Sequence, residues 1–166
     1  LLENVAGIYA PILKQGTILQ EDFNITIPFT YDSINDWIIL EVEIKGKTYN
    51  FILDTGSSNI LTKELAAELN VKVLGSEEIK DTNATENTTQ FTRINSIKIG
   101  GIDFQNTIAG IVDLNEITSV SCAKIDGLIG SNLMRKAIWD FDFQNQLITI
   151  TNDEDKLDIP AETIDT

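Results

Sequence analysis

The chain of 166 residues has no histidine, one cysteine, three prolines, and only 12 Lys and Arg against 26 Asp and Glu. Each shortage closes off a class of chemistry. Without histidine the chain cannot supply a Ser-His-Asp or Cys-His nucleophilic centre, nor a histidine-ligated zinc. The single cysteine, Cys122, excludes an internal disulfide, and its surroundings in SVSCAKI are those of a small buried hydrophobe. Carboxylate, lysine and tyrosine remain for acid-base work. The net charge of −14 repels phosphate backbones, so nucleic acid is not an expected partner; it fits a solvated surface that mildly favours basic peptides. Apolar runs such as residues 37–40 fall far short of the roughly 20 residues of a membrane-spanning helix.

Hydrophobic residues make up 42% of the chain, and the length fits one domain with an appended arm. The first residue is Leu1 rather than Met, which reads as a trimmed piece. Residues 1–22 show no clear period and read as an N-terminal arm. From Phe23 to Tyr31 apolar and polar residues alternate, which predicts one half-buried strand, and Pro28 places it at a sheet edge. WIILEVEI and YNFIL, joined at Lys45-Gly46-Lys47, predict a hairpin with Ile38, Leu40, Val42 and Ile44 on one face and Tyr49, Phe51 and Leu53 facing the same way. Leu61, Leu65 and Leu69 at helical spacing, with Thr62 as N-cap and Asn70 as terminator, predict a short helix.

Residues 80–92 are polar and strand-like and predict a long exposed hairpin. INSIKIGGIDF predicts a second hairpin turning at Gly100-Gly101, and TIAGIVDL continues as a strand. Then come a Gly-flanked apolar turn, a short helix near residues 131–137, and two final strands turning at Asn145. Residues 152–166 are acidic and aperiodic, a tail or linker. Many short strands with two short helices predict a mostly-β domain over residues 23–151. The carboxylates of NDEDKLD lack the Gly-containing spacing of a calcium loop. The acceptor triplets at Asn24, Asn83 and Asn87 are common in a chain rich in Asn and Thr.

One stretch stands out. FILDTGSSN runs apolar into Asp54 and then into Thr55-Gly56-Ser57. Taken alone, an Asp before Thr-Gly caps a turn, its oxygens accepting backbone N–H bonds. The same arrangement also suits a held catalytic carboxylate, with Gly56 allowing close backbone approach and Ser57 able to donate to the outer oxygen of the ionised form.

FILDTGSSN followed by a helix resembles the active-site loop of aspartic proteases. IDGLIGSNLM resembles the second element of that clan, and WDFDFQNQLITI resembles the strand pair that closes its domain. Together these span residues 37–151, and the pattern is similar to the single-repeat, retropepsin-like bacterial aspartyl proteases. The resemblance implies an acid-protease-like closed barrel of a single lobe. It implies Asp54 as the catalytic aspartate, Thr55 as a hydroxyl bonding across to a partner loop, Gly56 and Ser57 as carboxylate donors, and residues 128–130 as the turn packed beside that loop. The hairpin near residues 80–92 takes the position of the substrate flap. It lacks the usual Gly, with Asn83 or Asn87 available for a left-handed turn instead. No metal or cofactor is implied. Asp126 precedes Gly127 without a Ser or Thr between them and reads as a turn residue.

Hydrolysis by this route needs two carboxylates about 3 Å apart sharing one proton. No other Asp here is followed by Thr-Gly or Ser-Gly. The partner aspartate is therefore expected from a homodimer mate or from a second lobe beyond these residues, and both stay open. The expected substrate is an extended peptide or protein. A peptide-binding or assembly module without turnover is the alternative on the same fold, and an interaction domain using residues 1–31 is a third reading. The resemblance favours an extracytoplasmic setting such as a bacterial periplasm or cell envelope.

Overall fold

The computed structural model describes residues 14–80, 86–115, 119–121 and 123–157. The chain builds outward from one hairpin. Strand β4 (Trp37–Ile44) and strand β5 (Lys47–Asp54) pair antiparallel, and Lys45 and Gly46 between them take left-handed φ of 52° and 76°. That conformation matches the twist of a tight hairpin and suits glycine at the second position. Leu40, Val42 and Ile44 point with Tyr49 and Phe51 into the core, because side chains alternate along a strand.

The remaining strands extend this pair into a ring. They are β1 (Thr17–Ile18), β3 (Thr30–Asp32), β6 (Ile60–Thr62), β7 (Val73–Lys80), β8 (Glu86–Ile99), β9 (Ile102–Val112) and β10 (Gly127–Gly130). The order is β1-β9-β6-β10-β5-β4-β8-β7, β3 adds to β4, and β8 also pairs with β9 to close the path. The closure between β4 and β8 is the single pair Glu43↔Lys98, so the sheet is a ring of uneven pairing rather than a regular barrel. A second sheet, in the order β11-β12-β2, combines β2 (Asn24–Pro28), β11 (Ile138–Asp142) and β12 (Leu147–Thr151). Its Ile25, Ile27, Ile148 and Ile150 cover one end of the core. Gly100, at φ 58° in the β8–β9 turn, lies so close beneath that a Cβ there would meet Ile27 Cγ2 at 2.5 Å. Fully buried Leu, Ile and Phe side chains such as Leu40, Phe51, Ile97, Phe104 and Ile129 each contribute roughly 1.5–3 kcal/mol.

Among the described residues there are two short α-helices, α1 (Lys63–Glu68) and α2 (Ser131–Met134). Thr62 caps α1, its hydroxyl accepting from the Leu65 N–H at 3.2 Å, and Asn70 follows the helix at φ 50°. The mostly-β, single-lobe expectation with two short helices is met.

Two local expectations need correction. Residues 23–31 form two strands rather than one: β2 lies in the small sheet and β3 in the ring. The chain crosses between sheets at Phe29, which is buried and donates its N–H to the Gln146 carbonyl. Pro28 has no N–H to extend the ladder, and β2 does lie at an edge. Helix α2 stops at Met134, short of the predicted residue 137. The last hairpin does turn through Asn145, which is held by two hydrogen bonds to the Asp142 carboxylate, and Gln146 takes a left-handed φ of 54°. Cys122 and residues 158–166 lie outside the described residues. Within the predicted arm, β1 pairs with β9, and the Gln20 side chain bonds to Gly101 and Asp103.

Candidate active site

Asp54 is the last residue of β5 and is half-buried. Since Leu53 packs toward the main core, alternation turns Ile52 and Asp54 to the opposite face. That face is apolar. Ile52 joins Ile39 and Ile125 in a second buried cluster, flanked by Trp37, Ala123 and Leu128. Because Ile39 pairs with Ile52, Trp37 falls level with Asp54 across the hairpin.

The turn after Asp54 holds its carboxylate from below. The Gly56 N–H donates to Asp54 Oδ1 at 2.8 Å, and the Ser57 N–H donates to the Asp54 carbonyl at 3.3 Å. A Cβ on Gly56 would lie 3.3 Å from the same Oδ1, so any larger residue crowds the group that its own amide binds. Gly56 thus binds the carboxylate through its main chain. Ser57 behaves differently from expectation. Its hydroxyl donates to the Ser58 carbonyl at 2.9 Å and lies 3.5 Å from the Asp54 carbonyl oxygen, with no bond to the carboxylate. The turn brings Oγ back onto main-chain oxygens before it can reach the side chain. Thr55 is exposed, and its hydroxyl has no hydrogen bond among the described residues.

Two buried asparagines lock this loop to the GLIG strand, and sequence reasoning missed both. Strand β10 lies parallel beside β5, with Gly130 opposite Asp54. Asn59 Oδ1 accepts from the Gly130 N–H at 2.8 Å, while the Asn59 N–H donates to Asn132 Oδ1 at 2.7 Å. Both side-chain amides then donate to the Ile108 carbonyl, at 3.3 Å from Asn59 and 2.9 Å from Asn132. The Ser57 carbonyl receives the N–H and the hydroxyl of Ser131, at 2.8 and 3.0 Å. Contact is so close that a Cβ on Gly130 would fall 2.2 Å from the Ser58 carbonyl carbon. The available signal was a shared one: GSSN and GSN each put an Asn after a Gly-Ser turn, where an apolar segment resumes. Residues 128–130 pack beside the loop, but as part of strand β10 rather than as the expected turn.

Asp126 is not a turn residue. It is buried at 4% exposure, its Oδ2 accepts from the Asn50 N–H at 3.1 Å, and its carbonyl accepts from the Thr62 N–H. Its other oxygen makes no well-aligned hydrogen bond and is met by the Lys124 ammonium at 2.6 Å. It thus joins β5 to the entry of β10, at a distance along β5 from Asp54. Of the flap candidates, Asn83 lies outside the described residues. Asn87 sits in β8 opposite Ile79, and its backbone continues the β7–β8 hairpin. Among the described residues, no group of three or more Cys, Asp or Glu is placed to hold a metal ion, and no helix is long and apolar enough to cross a membrane.

The fold and this loop are those of an aspartic protease lobe. The sequence model of a family described as aspartyl protease matches residues 40–133, more than half of the chain, and the chain belongs to that family. A solved retropepsin-like aspartic protease from Rickettsia conorii is similar over 80% of this chain and 94% of its own, at 19% identity and a TM-score of 0.55, which establishes the retropepsin-like fold. The retroviral protease-like domain of Ddi1 from Leishmania major aligns over 73% of this chain and 98% of its own, at 12% identity and a TM-score of 0.45. Comparison with curated proteins gave no match.

Proposed function

We propose that the chain is an aspartic endopeptidase acting on extended peptides, with Asp54 as one member of a catalytic carboxylate pair. One observation carries the reading: Asp54 ends an inner strand with its Oδ1 on the Gly56 amide and its loop fastened to Gly130. In this scheme Asp54 and a second aspartate share one proton. The ionised member takes a proton from water as it attacks the scissile carbonyl, and the protonated member donates to the carbonyl oxygen. The second aspartate comes from the Asp54 of a second copy, or from a second lobe of a longer polypeptide. The exposed Thr55 hydroxyl, free of bonds among the described residues, supports contact with such a partner loop. The substrate lies as a strand under the β7–β8 hairpin, held through its main chain.

The direct test is Asp54→Asn, read by acid-pH cleavage of a peptide library together with sedimentation and thermal melting. Cleavage should disappear while melting stays unchanged, and active material should be dimeric unless a second lobe is present. Retained turnover in Asp54→Asn ends the proposal. The Ser57 hydroxyl, which is turned away from the carboxylate, favours a second reading in which the same site binds peptides without cutting them. Saturable peptide binding by a confirmed dimer with no cleavage from roughly pH 3 to 7 selects that reading.

A further inference from the structure

A groove of about 440 Å³ opens between the β4–β5 turn, the segment after α1 and strand β8. Four of the chain's 12 Lys and Arg line it, namely Lys45, Lys72, Arg93 and Lys98, against one acid, Glu43. In a chain of net charge −14 this is a local reversal of sign. These cations are only lightly engaged. Lys98 meets Glu43 Oε1 at 3.4 Å with both side chains about half exposed, and Arg93 donates to the Gln15 amide oxygen at 2.9 Å. Lys45 donates to the Leu69 carbonyl at 2.6 Å, and the Lys72 ammonium has no partner among the described residues. Exposed contacts of this kind exchange readily for a better anionic partner.

The spacing narrows the ligand. Arg93 and Lys98 are five residues apart on one strand, roughly 17 Å in extended backbone. A single small anion would require both long side chains to swing toward each other, whereas an extended segment with carboxylates along it meets each where it stands. Val71, partly exposed, adds apolar lining beside the charges, a place for an aliphatic side chain. Gly46 bounds the groove at the end of β5 opposite Asp54, about 26 Å away along the strand, so an occupant leaves the candidate active site open.

We propose that this groove binds an extended acidic peptide segment, its carboxylates on Lys72, Arg93 and Lys98 and an aliphatic side chain beside them. The site is separate from Asp54 and does not depend on the peptidase reading.

The test uses a fluorescein-labelled peptide of alternating Glu and Leu, titrated with the full chain at low salt and followed by fluorescence anisotropy. Saturable one-to-one binding that weakens as salt is added is expected. The double reversal Lys72→Glu with Arg93→Glu should weaken it about tenfold, while Lys63→Glu, at a lysine outside the groove, should leave it within about twofold. If the double reversal lowers the melting temperature, Lys72→Gln with Arg93→Gln replaces it, with about a threefold loss expected. Affinity should be the same in Asp54→Asn, which also prevents turnover of the probe and separates this result from the peptidase test. No binding at low salt overturns the proposal, as does equal affinity for wild type and charge-altered groove. Complete displacement by millimolar inorganic phosphate overturns it too, by assigning the groove to small anions.

Discussion

Truncating Asn59 to Ala tests how the candidate catalytic loop is held, and its cost can be worked out from three hydrogen bonds. The variant loses the Oδ1 acceptor of the Gly130 N–H at 2.8 Å and the Nδ2 donor to Ile108 at 3.3 Å. The Ile108 carbonyl keeps the Asn132 amide at 2.9 Å, so that side of the loss is an ordinary hydrogen bond, about 0.5–1.5 kcal/mol. The Gly130 N–H is worse off. It is buried in strand β10, and stranding such a donor costs about 1–3 kcal/mol. Together the change should cost roughly 2–4 kcal/mol. For a chain of this length each kcal/mol lowers Tm by about 2–4 °C, so a fall of roughly 5–15 °C is expected. Thermal melting by circular dichroism, checked by urea denaturation, measures it. Asn132→Ala should cost a similar amount, because it leaves the Asn59 N–H without its acceptor at 2.7 Å. The double variant should lose more than the sum, since only there does the Ile108 carbonyl give up both of its amide donors. Melting within about 2 °C of wild type for Asn59→Ala, or strict additivity in the pair, would refute the view that these amides fasten the loop.

Gly130→Ala should destabilise by overpacking, roughly 1–3 kcal/mol, because its Cβ would lie 2.2 Å from the Ser58 carbonyl carbon and 2.5 Å from the Ser57 carbonyl oxygen. The loop carrying Asp54 must retreat, so peptide cleavage should fall further than stability does, as paired melting and rate measurements would reveal. Stability should also decline in acid. The Lys47 and then the Tyr49 hydrogen bonds hold Glu68 below the usual carboxylate range, and Asn35 and Asn145 do the same for Asp32 and Asp142. A lowered folded pKa contributes stability that is present above the unfolded value and is lost as pH falls through the folded one. Urea midpoints should therefore hold near neutrality and drop below about pH 4, and a midpoint that rises there contradicts the assignment.

Much of the ring was legible because its signals are local. The alternation in WIILEVEI and YNFIL, the Gly pair at 100–101 and the Thr62 cap each act within a few residues, and each appears where the pattern put it. Asp54 was visible for the same reason: an apolar strand meeting Asp-Thr-Gly is a local contradiction. What escaped notice depends on partners far along the chain. Phe29 leaves its alternating run because Gln146, more than a hundred residues later, accepts its N–H. Asn59 and Asn132 look like ordinary turn residues until β10 is laid beside β5, and Asp126 looks like a turn until its carboxylate meets the Asn50 amide. Ser57 departs from its local pattern in the other direction. Its proximity to Asp54 in sequence suggested a bond that the turn geometry spends on main-chain carbonyls.

The placement of those long-range polar groups has a physical logic. A carboxylate beside the apolar Ile39, Ile52 and Ile125 cluster pays for lost hydration unless donors are already oriented toward it. Here the donor is a backbone amide, that of Gly56, and a backbone amide is only as fixed as the loop that carries it. An apolar contact could not fix that loop to better than a rotamer's slack, because dispersion is non-directional. Hydrogen bonds from Asn59 and Asn132 to named carbonyls and amides set both distance and angle. Their buried position makes any slippage expensive, since a displaced loop would leave the Gly130 N–H unpaired away from water. The polar knot beneath the loop and the carboxylate above it are thus one arrangement: the first holds the turn in place, and the second is thereby fixed at one point on the lobe's surface.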